Sequence, residues 1–147
     1  MTKTLIINLT QHAASADQTA AGVVDLCPRD RLKLSSLLTF DTLPTPEEIE
    51  RRAEEIVLLG VGAMDDHYEL LAFEPSVPLD ASVKWIEYAM IGGAPYLMSA
   101  LERACRVYGI TPVYAFSVRE SVEETLPDGS VRKTNVFRHA GFVEVAA

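Results

Sequence analysis

The sequence predicts an α/β protein, a Rossmann-like sandwich with a mainly parallel sheet and a C-terminal β-hairpin. Three stretches carry that reading. LIINL, Leu5 to Leu9, is β-rich and nearly all apolar, which suits a strand covered on both faces in a parallel sheet rather than one alternating between core and water. VKWIEYAMIGG, APYLMSALERACRVYG and TPVYAFS follow one another as strand, glycine turn, helix and strand, the order of a βαβ crossover. The tail SVRESVEETLPDGSVRKTNVFRHAGFVEV alternates in polarity on either side of PDG, as two strands joined by a turn do. A chain of 147 residues can bury one core without disulfide or metal staples, so a single domain over residues 1–147 is expected.

After the first strand the chain turns polar at Thr10, Gln11 and His12. Ser15 is placed to cap a helix through ADQTAAG, and VVDL then supplies a short second strand. PTPEEIERRAEEIVLLG carries the clearest helix: Thr45 as cap, Pro46 at the first position, Glu47 and Glu48 against the dipole, and Gly60 near its end. Its charged face reads as solvated. From Met64 to Ser82, two prolines and the lack of a clear period predict a loop or partly helical excursion. In the crossover helix Leu97, Leu101, Ala104 and Tyr108 keep helical spacing, Pro95 suits the first turn, and Gly109 is placed to end it.

Hydrophobic residues form 48% of the chain and charged residues 23%, the balance of a soluble globular protein. The formal charge of −8 weighs against tracking of long nucleic acid, which depends on many Lys and Arg contacts to phosphate. A small anionic ligand stays open, because backbone N–H groups and one or two cations hold it whatever the net charge. No stretch reaches membrane-spanning length, and MTKTLIINLT has too brief an apolar run, with no small-residue cleavage site, for a signal peptide. A cytoplasmic protein without membrane contact is therefore expected. Cys27 and Cys105 are too few and too far apart for a disulfide framework or a zinc site, so both are expected to be reduced, with no metal or cofactor.

In an open parallel sheet the strand C-termini share one edge, and ligands bind in the crevice outside it. Three groups are expected there: Thr10, Gln11 and His12; Gly92 and Gly93; and Ser117, Val118 and Arg119 at the end of TPVYAFS. They offer hydroxyl and amide hydrogen bonds, N–H groups at a helix start, and a guanidinium, a set suited to a phosphate-bearing ligand. Each has a plainer reading. His12 acts as a general acid or base near neutral pH, or it is a capping or surface residue. The glycine pair admits a phosphate to the backbone, or it allows a tight turn and no more. Arg119 clamps a phosphate, or it joins surface ion pairs with Glu120, Glu123 and Glu124.

Other patterns carry less. The glycines do not form a GxGxxG fingerprint, no acidic residue follows a first-strand glycine loop, and no Walker motif is present, which disfavours dinucleotide binding. Asn8-Leu9-Thr10 reads as a glycosylation sequon, but a buried strand in a chain without an export signal is not modified. Asp65, Asp66 and His67 lack a second cluster at metal-ligand spacing and read as loop solvation. Arg132 and His139 share a spacing with some helical-bundle ribonucleases, but they fall in a tail that reads as β, where that spacing is coincidental.

Taken in order, IINLTQH, AMIGGAPYLM, PVYAFSVRES and DGSVRKTNVFRHAGFVEV resemble small stand-alone proteins associated with CRISPR loci, similar to the CRISPR-associated Rossmann-fold (CARF) domains. The resemblance covers most of the chain except Met64 to Ser82. It implies binding of a cyclic oligoadenylate second messenger, commonly across a two-fold homodimer, and in ring-nuclease members slow metal-independent cleavage of it. Carried over by position, Thr10, Gln11, Gly92, Gly93, Ala94 and Glu120 would line the ligand, His12 would be the base, and Ser117 and Arg119 would hold the scissile phosphate. The implied chemistry is attack of a ribose 2′-OH on its adjacent phosphate, for which the protein aligns the groups and stabilises developing charge. A non-catalytic messenger sponge or a small nucleotide sensor would use the same crevice. An interaction protein would instead use the hairpin to add a strand to a partner's sheet edge.

Overall fold

The computed structural model describes residues 2–74 and 83–147. Its elements run β1 (Thr2–Leu9), α1 (Ala16–Ala20), β2 (Val23–Asp25), α2 (Pro28–Leu38), α3 (Pro46–Ala72), β3 (Lys84–Ile91), α4 (Pro95–Val107), β4 (Thr111–Thr125) and β5 (Val131–Glu144). The sheet order is β2-β1-β3-β4-β5. β1 lies between β2 and β3, parallel to both, and that flanking is why Leu5 to Leu9 are buried one after another. β3 pairs in parallel with the start of β4, and β4 turns back antiparallel into β5. The expected α/β sandwich with a mainly parallel sheet and a terminal hairpin is the fold observed. No helix among the described residues is long and apolar enough to cross a membrane.

The connections from β1 to β2 and from β2 to β3 run to opposite sides of β1, so right-handed crossovers place α1 on one face and α2 and α3 on the other. The side chains agree. Leu5, Ile7, Leu9, Ala89 and Ile91 form the main core with residues of α2, α3 and α4. On the opposite, open face Ile6, Val23, Met90 and Val113 form a smaller cluster with Ala14, Tyr88 and Phe142. α1, five residues long with none buried, covers little of that face.

Local chemistry explains the helices. Ser15 and Gln18 form a reciprocal capping box at the start of α1. Thr45 Oγ1 accepts from the Glu48 N–H at the start of α3. α2 has Pro28 in its first turn and buries Leu34 and Leu38, one turn apart, against the core. α3 runs on past Gly60 for twelve residues to Ala72, so Met64 to Ala72 are helical rather than a loop. Asp65, Asp66 and His67 therefore sit on this helix, and residues 75–82 of the expected excursion lie outside the described residues. The helix does not end at Gly60 because that glycine serves packing: a Cβ there would stand 3.3 Å from Leu9 Cδ1, so its absence lets α3 lie close on β1.

TPVYAFS is only the beginning of β4. Thr111, Pro112 and Val113 pair with β3, and the rest of the strand pairs with β5 as a ribbon that ends in the Leu126–Ser130 turn. Gly129 takes a positive φ of 84° in that turn, which the PDG sequence supplies. Ser117, Val118 and Arg119 thus lie within a strand and do not leave its end.

Both cysteines are free thiols, Cys27 exposed and Cys105 buried in the core. Burial pushes the Cys105 thiol up to about 12. In the unfolded chain that thiol ionises first, so stability is held below the ordinary thiol range and falls as pH climbs from there through about 12. Cys105→Ala should remove the early part of that alkaline decline in denaturation curves. A thiol reagent at about pH 8 should modify Cys27 alone in the folded chain and both cysteines in denaturant. Ile7→Ala, at a fully buried position, should lower the unfolding free energy by about 2–5 kcal/mol in urea titrations. Leu43→Ala, at a side chain 95% exposed, should change it by no more than about 0.5 kcal/mol.

Candidate functional site

The end of β1 is organised by one buried amide. Asn8 is 3% exposed, and its Nδ2 donates to the His12 carbonyl and to Asp25 Oδ1, each at 2.8 Å. Its Oδ1 accepts from the Thr10 N–H at 2.9 Å and from Thr10 Oγ1 at 2.6 Å. Both donors and both lone pairs are thereby used. Asp25, at the end of β2, also accepts from the Ala14 N–H at 3.1 Å. The loop after β1 is pinned at both ends, and Ala14 is set against the open face. The sequon asparagine is a buried structural residue, and Thr10 spends its hydroxyl on the turn. Gln11 and His12 remain exposed.

β1 and β3 are neighbours whose onward connections run to opposite faces, the arrangement that opens a crevice at the C-terminal edge of a parallel sheet. The two loops meet there: a Cβ on Gly92 would lie 3.5 Å from Thr10 Cγ2. Gly93 takes a φ of 145° and brings the chain into α4. Ala94 caps that helix without a side-chain hydrogen bond, and Pro95 follows it. Pro95 has no N–H and the Leu97 N–H is taken by the Ala94 carbonyl at 3.0 Å, which leaves the Tyr96 N–H in the first turn of α4, at the positive end of the helix dipole and with no capping side chain.

The register places the third group. Val113 is level with Met90, near the end of β3, so Ser117 and Arg119 stand beyond the crevice edge on the ribbon. Alternation along β4 puts Val113, Ser117 and Arg119 on the open face, the side on which Ala14 and the β1 loop stand. Glu120 faces the opposite way and pairs with Arg138 at 3.1 Å. Arg119 and Glu120 therefore serve different faces of the ribbon. Arg119 lies opposite Phe137 and makes no ion pair among the described residues. Opposite Ser117 is His139, whose ring lies 4.8 Å from that of Phe142. His139 Nδ1 is buried without a partner among the described residues.

The structure thus joins Thr10 with Gly92, and it puts Ser117 and Arg119 on the same face as the β1 loop, farther out. Sequence reasoning missed Asp25 and set His139 aside. Asp25 was hidden because its role depends on a partner on another strand. His139 was hidden because a bulge at Ala140, between Gly141 opposite Phe116 and His139 opposite Ser117, sets its face. Two hollows lie elsewhere: one of about 660 Å³ between α2 and α3, lined by Leu32, Leu37, Leu58 and Leu59, and one of about 540 Å³ beside Cys27, Asp66 and His67. Among the described residues no group of three or more His, Cys, Asp or Glu side chains is arranged to hold a metal ion.

A family model described as "Uncharacterized protein MJ1673 family" matches residues 4–143, and the chain belongs to that family. Both crevice loops and the ribbon fall within the matched span. No curated protein and no solved structure matches the chain.

Asn8→Ala should lower stability by about 1–3 kcal/mol, because it removes the amide donor to the His12 carbonyl and Asp25 and the acceptor of the Thr10 N–H. It should also speed amide exchange at Thr10 and Ala14 while leaving α4 unchanged. Chemical denaturation and hydrogen-exchange measurements on the variant check both effects.

Proposed function

We propose that this member of the family binds a cyclic oligoadenylate in the crevice at the C-terminal edge of the sheet and cleaves it as a ring nuclease. The observation that carries the reading is the meeting of Thr10 and Gly92 where the β1 and β3 connections part to opposite faces, the place where open α/β sheets bind ligands. The uncapped first turn of α4 supports an anionic group there. Arg119, on the open face and without an ion pair among the described residues, supplies a guanidinium that can hold a phosphate through two parallel donors. The resemblance of the loop sequences to CARF proteins narrows the anion to a ring of adenylates, and a two-fold-symmetric ring suits two copies of one crevice.

In the proposed reaction the 2′-OH attacks its adjacent phosphate, a 2′,3′-cyclic phosphate closes, and the 5′ oxygen of the next nucleotide leaves with a proton. His12, exposed beside the crevice with its carbonyl fixed by Asn8, would take the 2′ proton. Ser117 and Arg119 would steady the developing charge. A messenger sponge uses the same crevice without turnover.

Incubating the protein with cyclic tri-, tetra- and hexa-adenylate in the presence of EDTA, then separating the products, tests both steps. Linear products ending in a cyclic phosphate are expected. Tight binding by calorimetry without products would establish the sponge, and no binding of any ring would refute the ligand. Arg119→Ala should weaken binding by about 1.5–3 kcal/mol with the thermal midpoint unchanged, and Arg119→Lys should recover only part.

A further inference from the structure

Among the described residues His139 Nδ1 is the one buried side-chain nitrogen or oxygen left without a hydrogen bond. Folded chains keep few such atoms, and each calls for a reason, in local strain or in a functional role. The imidazole is held by other means. It lies against Phe142, ring centroids 4.8 Å apart at 60°, and the bulge at Ala140 turns it to the open face, opposite Ser117. Bulges recur beside binding and active sites because the extra residue re-aims a side chain. Nε2 makes no hydrogen bond among the described residues and is not closed off with Nδ1, so in this partly exposed side chain it is the nitrogen open to a ligand.

Burial of Nδ1 also decides what Nε2 offers. A neutral imidazole has one N–H and one bare lone pair. With the proton on Nδ1, a donor would be buried without an acceptor, the orphan that folded chains tolerate least. With the proton on Nε2, only a lone pair is orphaned, and the N–H stands at the accessible atom. Arg119 is the next side chain beyond Ser117 on the same face of β4, and diagonal neighbours across a strand pair lie about 7–8 Å apart, within reach of a long side chain. From the bulge outward, that face of β4 carries Ser117, Arg119 and Ser121 before its first carboxylate, Glu123, which lies opposite Lys133.

We propose that His139 is a ligand-binding residue whose Nε2–H donates to a phosphate oxygen of the bound nucleotide, on the phosphate that Arg119 holds. The identity of that phosphate rests on the ligand reading above; the donor rests on the orphaned Nδ1 and the bulge. The two histidines then divide the work. A base must present a lone pair, as His12 does in the proposed reaction, whereas His139 presents a proton to charge that grows on the phosphate.

Nitrogen NMR spectra of the histidine side chains at about pH 8, where an imidazole is ordinarily neutral, read the tautomer with no ligand present. The Nε2–H form is expected for His139. Titration with cyclic tri-, tetra- and hexa-adenylate should then shift His139 Nε2 and Arg119 Nε together with whichever of them binds. His139→Phe keeps the packing on Phe142 and removes the donor, so the thermal midpoint should hold while affinity falls by about ten- to a hundredfold, the effect of one hydrogen bond to a charged group. His139→Gln, whose amide nitrogen stands in for Nε2, should recover most of the loss, and His139→Asn, whose amide reaches only the place of Nδ1, should not. Should His139→Phe unfold, the wild-type spectra decide. The Nδ1–H form, a His139 signal that stays still while a cyclic oligoadenylate binds, or a folded His139→Phe with wild-type affinity would each overturn the proposal. If no cyclic oligoadenylate binds, inorganic pyrophosphate separates the two ideas. Shifts of His139 and Arg119 with pyrophosphate would keep the donor and refute only the cyclic ligand, and no shift with either probe would refute both.

Discussion

Asn8 is the residue on which the organisation of the crevice turns. A primary amide buried in a strand end costs free energy unless its donors and acceptor are all engaged, and here each finds a partner within the loop that follows or on the neighbouring strand. The same bonds that satisfy the amide fix the backbone of Thr10 to Ala14 and tie β1 to β2 through Asp25. They also decide which polar residues are free. Thr10 is consumed by the turn, whereas Gln11 and His12 are turned outward with their backbone already held. A ligand group arriving at this edge would meet a loop whose conformational entropy has been lost during folding rather than at binding.

The sheet is unequal on its two sides, and much of the molecule follows from that. Three helices close one face, and the glycine at position 60 lets the longest of them approach the central strand. At the margins of the core, tyrosines tether carboxylates across elements: Tyr68 of α3 to Glu87 of β3, and Tyr114 of β4 to Glu102 of α4. On the open face Tyr88 is linked in the same way to Glu144. Burial first, and the adjacent carboxylate second, raise all three phenols above their ordinary range. They therefore stay neutral donors, and each shields an acidic side chain in a chain that carries an excess of them.

What the sequence showed and what it hid divide along physical lines. Local signals survived into the fold: the apolar run of β1, the Ser15 cap, the Thr45-Pro46 start of α3, Pro95 and Gly109 about α4, and the PDG turn all depend on residues close in sequence. Gly60 misled because a mid-helix glycine and a terminal one look alike until the strand beneath is known, and here Leu9 supplies the reason for it. α2 offered Pro28 and the Leu34–Leu38 spacing, but its cap, Cys27, makes no side-chain hydrogen bond to mark the start. The end of β4 was illegible for a different reason. Nothing local distinguishes a strand that leaves the sheet from one that continues with a new partner, and only β5, fourteen residues long, keeps Ser117 and Arg119 extended. The crevice loops could be assigned to one edge from topology alone, whereas the opposite facing of Arg119 and Glu120 needed the continuation of β4 through both residues.

Register is also what lets one ribbon carry two kinds of surface. Side chains on a strand alternate with a period of two, so a slip of one residue would exchange the faces. The bulge at Ala140 allows β5 to change phase between the part that packs on the body and the part that projects. Phe142 covers the open-face cluster, and beyond the bulge His139 and Phe137 remain on that same side, opposite Ser117 and Arg119. Without the bulge, Ala140 and Arg138 would take those places, and His139 and Phe137 would fall on the side of Phe116, Val118 and Val122 in place of Val136 and Arg138. Gly141, at a φ of 145°, supplies the backbone conformation that this change of phase requires. The polar face that looks toward the crevice and the neutral apolar face behind it are therefore consequences of a single inserted residue.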